Sequence, residues 1–318
     1  MFTISTRSAR ALESFNPVTR LLRYSTNGSA RLGVLTADGT GVVDATARLD
    51  GIDDVPELLS GPGLGAVRGL EDEDAQHAIT DVTFERLVRA PRKIFCIGVN
   101  YGGRANEYAD KSDAAYPSVF PRFADSFTGH EQPLVRPPES PQLDYEGEIV
   151  VVIGRSGRRI PMAESRNYIA ALTLGNEGTI RDWVRHAKFN VTQGKNWSSS
   201  GAIGPWLVPI DEFDDLEDLE LSTHVNGEQR QHDNTASMKY SIAYQVHYLS
   251  TFTDLSPGDL IFTGTPTGAG ARQDPPVWLE PGDVIEVSVP NIGTLRNTVV
   301  DEFEPGTPQA AFAAPEPQ

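Results

Sequence analysis

What most constrains this chain is the way its apolar residues are parcelled into short runs, such as IFCIGV (94–99), EIVVVIG (148–154), DLIFTGT (259–265) and DVIEVSV (283–289), broken by Gly, Pro or Asn. Runs this short, rich in β-branched residues and bounded by turn formers, read as strands. Between residues 20 and 48 apolar clusters flank Asn27-Gly28 and Asp38-Gly39, dipeptides that favour tight hairpins. Residues 50–90 hold Gly61-Pro62-Gly63 and the acidic Glu71-Asp72-Glu73-Asp74 with little periodicity, so a connection with one short helix is expected there. Helices are expected over 163–173 and 236–253, the latter from Met238, Ile242, Val246 and Leu249 at spacings of three and four. Pro257-Gly258-Asp259 and Pro281-Gly282-Asp283 read as turns into strands. The class is therefore α+β and not doubly wound, in three parts: a small β-rich N-terminal domain with its connection (1–88), a sheet-rich catalytic domain (89–305) and a disordered Ala/Pro tail (306–318).

The 27 basic and 44 acidic side chains give a net charge of −17, which repels nucleic acid and anionic membrane surfaces. The same field repels a small anionic substrate, so a site for one must carry local positive charge. The single cysteine, Cys96, excludes an internal disulfide and a Cys-rich zinc site. No apolar run is long enough to span a bilayer, and the start MFTISTRSARALESF lacks the apolar stretch of a secretory signal. A cytoplasmic protein is expected.

Four stretches carry candidate chemistry. In Asp144-Tyr-Glu146-Gly-Glu148, residues two apart on a strand share a face, so Glu146 and Glu148 project together at the mouth of an apolar strand. Two desolvated carboxylates repel unless a cation neutralises them. An isolated pair of this kind also fits an exposed strand end in an acidic protein. Glu177 in Asn176-Glu177-Gly178 completes a three-carboxylate set of hard oxygen donors, suited to Mg²⁺, Mn²⁺ or Ca²⁺ more than to zinc. Arg181 and Lys195 follow, cations able to hold substrate oxygens or simply to face solvent. Gly98-Val-Asn100-Tyr101-Gly-Gly103-Arg104 leaves a strand through a glycine-rich turn, and Phe262-Thr-Gly-Thr265-Pro-Thr-Gly268 ends another in small polar residues that suit an oxyanion or an ordinary turn.

The ordered series GxNYxxxxxE, DYEGE, NEGxxRDW, GKN, GxxGPW, VNGE, PGDLIFTGTPTG and GDVIEVSVPNIGTLRN resembles the catalytic domain of the fumarylacetoacetate hydrolase family over residues 92–303. The resemblance implies a mixed β-sheet roll of the fumarylacetoacetase C-terminal-like type, a homodimer, and one Mg²⁺ or Mn²⁺, with Ca²⁺ as a substitute. It implies Glu146, Glu148 and Glu177 as ligands. Arg181, Lys195, Thr265 and Tyr101 would contact substrate, a small 2-oxo acid or 1,3-dicarbonyl, and Lys195 would also serve catalysis with Glu107 and Arg104. The reactions implied are C–C cleavage by hydrolysis or decarboxylation, or keto–enol isomerisation.

Three positions depart from the family pattern: Arg104 stands where a catalytic histidine is common, Glu177 where an aspartate is, and Val184 where a glutamine follows RDx. An arginine stays protonated and cannot deprotonate water with Glu107. That shifts the expected chemistry from hydrolysis toward decarboxylation or isomerisation, and leaves a lapsed member that binds metal and ligand without turnover as the alternative. His130 and His186 are expected to be structural or surface residues.

Overall fold

The computed structural model describes residues 18–102, 115–184, 186 and 190–303. Arg104, Glu107 and the expected tail at 306–318 lie outside the described residues.

The strand Gly147–Ile153 forms the centre of the molecule, and every residue in it is buried. Because side chains alternate along a strand, a run buried on both faces must feed two cores. Ile149, Val151 and Ile153 enter one core with Leu221, Val287 and Leu295, while Val150 and Val152 enter the other with Leu21, Leu58 and Phe262. Each buried Val or Ile contributes about 1.5–3 kcal/mol, so the strand that presents Glu148 is held far more firmly than an edge strand.

This strand pairs antiparallel with Ile169–Asn176 and with Leu260–Phe262. Outward on one side comes Gly201–Pro209; on the other come Ile94–Gly98, parallel to Leu260–Phe262, and then Ser118–Pro121. The N-terminal strands Leu21–Ser25, Ala30–Leu35 and Gly41–Asp44 join the same sheet where Leu21 pairs with Leu207. Their two hairpins turn at Asn27-Gly28 and Asp38-Gly39, the glycines taking φ of 85° and 72°. A second sheet runs Glu228–Asn234, Glu220–Val225, Val284–Val289, Gly293–Asp301 and Leu134–Arg136, and covers the inner face of the first. Mixed sheets with few helices make the fold α+β.

Two helix expectations need correction. Over 163–173 the chain forms a 3₁₀ segment, Met162–Tyr168, and then the strand Ile169–Asn176. Ladders on both sides give that strand's backbone its partners, and this tertiary pairing overrides the local apolar spacing. The helix expected over 236–253 spans Ile242–Phe252, starting after Ser241, whose hydroxyl accepts from Tyr244 N–H. Met238 lies before it: the Asn100 side chain binds both N–H and C=O of Tyr240, which leaves that backbone no part in a helix. In the 50–90 connection the one α-helix is Val55–Ser60, capped by Asp54.

Candidate active site

Glu146 precedes the central strand, Glu148 is its second residue, and Glu177 follows the neighbouring strand Ile169–Asn176. Glu177 N–H donates to Glu146 C=O at 2.7 Å, and Glu146 N–H to Asn176 Oδ1 at 3.0 Å, so backbone bonding brings the two glutamates level. One carboxylate oxygen from each of Glu146, Glu148 and Glu177 lies within 4.8 Å of the others. All three residues are buried, with exposures of 4%, 1% and 2%. Gly178 is required immediately afterwards: a Cβ there would sit 1.7 Å from the Ser200 carbonyl oxygen.

The three carboxylates are not equally satisfied. Glu146 is bonded through Oε1 to Arg181 Nη2 at 2.8 Å and through Oε2 to Lys195 Nζ. Glu177 Oε2 faces Lys195 Nζ at 3.1 Å, but its Oε1 is buried without a hydrogen-bond donor among the described residues. Glu148 accepts from Gly264 N–H at 2.7 Å. Burial first, and the charges of Glu177 and Glu146 next, push the Glu148 carboxyl well above the usual carboxylate range. Burial pulls the Lys195 ammonium down, yet Glu146 and Glu177 outweigh it and the net shift is upward, so Lys195 stays charged. A bare oxygen and a carboxyl that resists ionisation, in an all-oxygen set of this span, fit a hard divalent cation.

The glutamates, Arg181, Lys195 and Thr265 line one cavity of about 770 Å³, whose wall continues through Val99, Phe120 and Val191. Thr265 gives its hydroxyl hydrogen to Gly147 C=O at 2.9 Å and accepts from Gln231 Nε2 at 2.8 Å. Tyr101 is 1% exposed and its hydroxyl has no partner among the described residues; burial, then the charges of Glu148 and Asp233, raise its pKa. The structure thus brings Glu146, Glu148, Glu177, Arg181, Lys195 and Thr265 to one cavity, whereas Tyr101 is buried and does not line it.

Two residues escaped the sequence reading. Asp144, fully buried, accepts from Tyr145, Gly270 and Ala271 N–H at 2.8, 2.7 and 3.0 Å and from Arg181 Nε at 2.6 Å, which orients Arg181 toward Glu146. Arg122 has a completely buried side chain, lies 4.1 Å from the Phe127 ring centre, and bonds Gly178 C=O, Ser126 and Ser200. It stands 4.0 Å behind Glu177 Oε1. Asp144 was visible inside the DYEGE stretch; nothing local marks Arg122, whose partners lie up to 78 residues away. His130 is structural: burial, then Arg296, lowers its pKa to about 4, and its Nδ1 accepts from Arg296 N–H. His186 is exposed and packs on Trp183.

With this geometry established, comparison with known proteins is informative. Residues 93–300 match the model of the fumarylacetoacetate (FAA) hydrolase C-terminal family, and the chain belongs to that family of enzymes. The mitochondrial oxaloacetate tautomerase Fahd2a of Rattus norvegicus is 34% identical over 221 residues, 70% of each chain. The 4-hydroxyphenylacetate degradation bifunctional isomerase/decarboxylase of Salmonella dublin is 36% identical over 232 residues, 73% of this chain and 51% of that protein. Among solved structures, the fumarylacetoacetate hydrolase of psychrophilic Exiguobacterium antarcticum superposes with a TM-score of 0.76 at 31% identity, covering 89% of this chain and all of that one. The fold is therefore of the fumarylacetoacetate hydrolase type. Among the described residues no helix is long and apolar enough to cross a membrane.

Proposed function

We propose that this protein is a divalent-metal-dependent enzyme that interconverts or decarboxylates a small 2-oxo acid through its enol form, in preference to hydrolysing a C–C bond. The observation that carries the reading is the convergence of three buried glutamates, one oxygen from each within 4.8 Å of the others, with Glu148 pushed toward its neutral form by burial and by the other two. Glu146, Glu148 and Glu177 would hold Mg²⁺ or Mn²⁺, which supplies positive charge to substrate oxygen as a bond at the adjacent carbon breaks. Arg181, anchored by Asp144, and Lys195 offer N–H donors to the substrate carboxylate and carbonyl from the same cavity. Val99, Phe120 and Val191 keep that space partly apolar, which strengthens each of those bonds. Thr265, its hydroxyl hydrogen already committed, supports the loop more than it donates to substrate through its side chain.

Arg104 supports isomerisation or decarboxylation over hydrolysis, because a guanidinium holds an anion but takes no proton from water, and if it comes near Glu107 it would weaken that carboxylate as a base. Relatives named as an oxaloacetate tautomerase and as an isomerase/decarboxylase fit this preference. The active form in this reading is a cytoplasmic homodimer. The test is a Mn²⁺-supplemented assay of oxaloacetate and an acylpyruvate, following enol absorbance and released carbon dioxide, with native protein against Arg104→His. Enol loss by the native protein, with hydrolysis of the acylpyruvate rising only in the variant, is expected. Efficient native hydrolysis that Arg104→His abolishes would overturn the preference.

A further inference from the structure

A second cavity, of about 360 Å³, lies between the N-terminal strands and the segment 127–132, and shares no lining residue with the first. Its wall includes Arg23, Arg86 and Arg89 and one acid, Glu85, together with Thr83, Thr128 and Gln132. Three guanidiniums around one cavity are unexpected in a chain of net charge −17. Arg89 is neutralised, facing Asp53 at 3.1 Å and Asp54 at 3.6 Å. The other two are not. Arg23, 5% exposed, spends its donors on the carbonyls of Asp53 and Arg86, at 3.0 and 3.3 Å. Arg86 donates from Nη1 to Ala124 C=O at 2.6 Å, and its buried Nε has no acceptor among the described residues. Among the described residues neither has a carboxylate at ion-pair distance; Asp54, Glu85 and Asp53 act on Arg23 only from further away, and the Glu85 carboxylate is engaged by the Ser25 hydroxyl.

A buried guanidinium bonded only to neutral acceptors is costly, and an orphaned N–H adds to the cost. An oxyanion in the cavity relieves the first cost through the guanidinium Nη groups, since arginine's planar set of donors matches phosphate and carboxylate. We propose that this cavity is a binding site for a small dianion carrying a phosphate group or two carboxylates, separate from the substrate cavity. Arg23 and Arg86, neither of them within ion-pair distance of a described carboxylate, supply the positive charge against Glu85 in the same wall, and the hydroxyls of Thr83 and Thr128 supply further donors. The site also has a mechanical link to the glutamates: Arg86 holds Ala124, the turn Ala124–Ser126 holds Arg122 through Ser126, and Arg122 stands behind Glu177.

The experiment is calorimetric titration of the full-length protein, with Mg²⁺ present and at low ionic strength, using inorganic phosphate in one arm and succinate in the other. At least one anion is expected to saturate with a Kd of about 1 mM or tighter. Arg86→Gln should weaken that binding at least about tenfold, the scale of one charge-assisted bond. Gln132→Glu, which leaves every arginine contact intact, should weaken it similarly by repulsion, so a folding defect in the first variant would not decide the matter. Glu148→Gln should leave it unchanged. Tighter binding of phosphate identifies a phosphate ester as the ligand, and tighter binding of succinate a dicarboxylate. Absence of saturation in both arms overturns the site, as does binding that ignores Arg86→Gln and Gln132→Glu, or that disappears in Glu148→Gln and so belongs to the glutamate cavity.

Discussion

Asp144 and Glu148 are two carboxylates on one short stretch of chain, with exposures of 0% and 1%, and they live in opposite circumstances. Behind the cavity, Asp144 collects Arg181 and the N–H groups of Tyr145, Gly270 and Ala271. At its floor, Glu148 has the N–H of Gly264 and two like charges for company. Burial alone does not separate a structural acid from a functional one. The donors do: protein groups complete Asp144, whereas Glu148 is left for something the chain does not supply.

The largest effect should come from spoiling the satisfied side. Asp144→Asn places an NH₂ among donors and leaves Arg181 with Glu146 but without the Asp144 charge, so it is expected to cost about 3–5 kcal/mol, the range for breaking a buried, hydrogen-bonded ion pair. Urea unfolding of the metal-free protein measures this; a loss under 1 kcal/mol would equate Asp144 with a surface acid.

On the unsatisfied side the sign should reverse. Glu148→Gln keeps the shape, still accepts from Gly264, and removes a carboxyl whose ionisation burial, Glu177 and Glu146 oppose. It should raise the stability of metal-free protein at pH 7 by about 1–3 kcal/mol while abolishing tight Mn²⁺ binding. Destabilisation together with unchanged Mn²⁺ affinity would make Glu148 another Asp144.

The pH dependence follows from the same contrast. The Glu148 carboxyl is raised by burial and by Glu177 and Glu146, so between the unfolded carboxyl value and the raised folded one the native state holds a proton that the unfolded state has lost. With the native state binding more protons, stability falls as pH rises through that window. Metal-free protein should therefore lose stability on going from about pH 4.5 upward, and Glu148→Gln should flatten that slope. Mn²⁺ should oppose the loss by binding the ionised form. Stability profiles of both proteins with and without metal test this; a native slope that survives the substitution assigns the proton elsewhere.

The contrast also explains what sequence could reveal. Hairpins at Asn27-Gly28 and Asp38-Gly39, and the two-sided burial of EIVVVIG, were legible because turn chemistry and strand periodicity are local. Residues 169–173 read as helix because their strand character comes from neighbours on both sides, not from their own spacing. The glutamates were found by their company in the chain. Their unequal satisfaction was not, since it depends on Gly264 reaching Glu148 and on Gly270 and Ala271 reaching Asp144 across more than a hundred residues. Arg122 was invisible for the same reason.

The smallest expected effect concerns Glu177, which stands between the two cases: one oxygen faces Lys195 at 3.1 Å and the other has no donor among the described residues. Glu177→Asp keeps the charge and withdraws the carboxylate by one methylene. Lys195 retains Glu146, so its ammonium is not stranded, and the unpaired oxygen had no protein bond to lose. Stability of the metal-free protein should therefore change by less than about 0.5 kcal/mol. Metal binding depends on reach, because Mg²⁺ and Mn²⁺ demand short, well-directed oxygens and the backbone here is fixed by Gly178 against Ser200. The variant should bind Mn²⁺ about tenfold more weakly, a shift of about 1.4 kcal/mol. Calorimetry on both proteins decides it. Equal or tighter binding would mean that the strand end yields to the shorter arm, and that the lone oxygen of Glu177 is a consequence of its length and not a mark of a ligand.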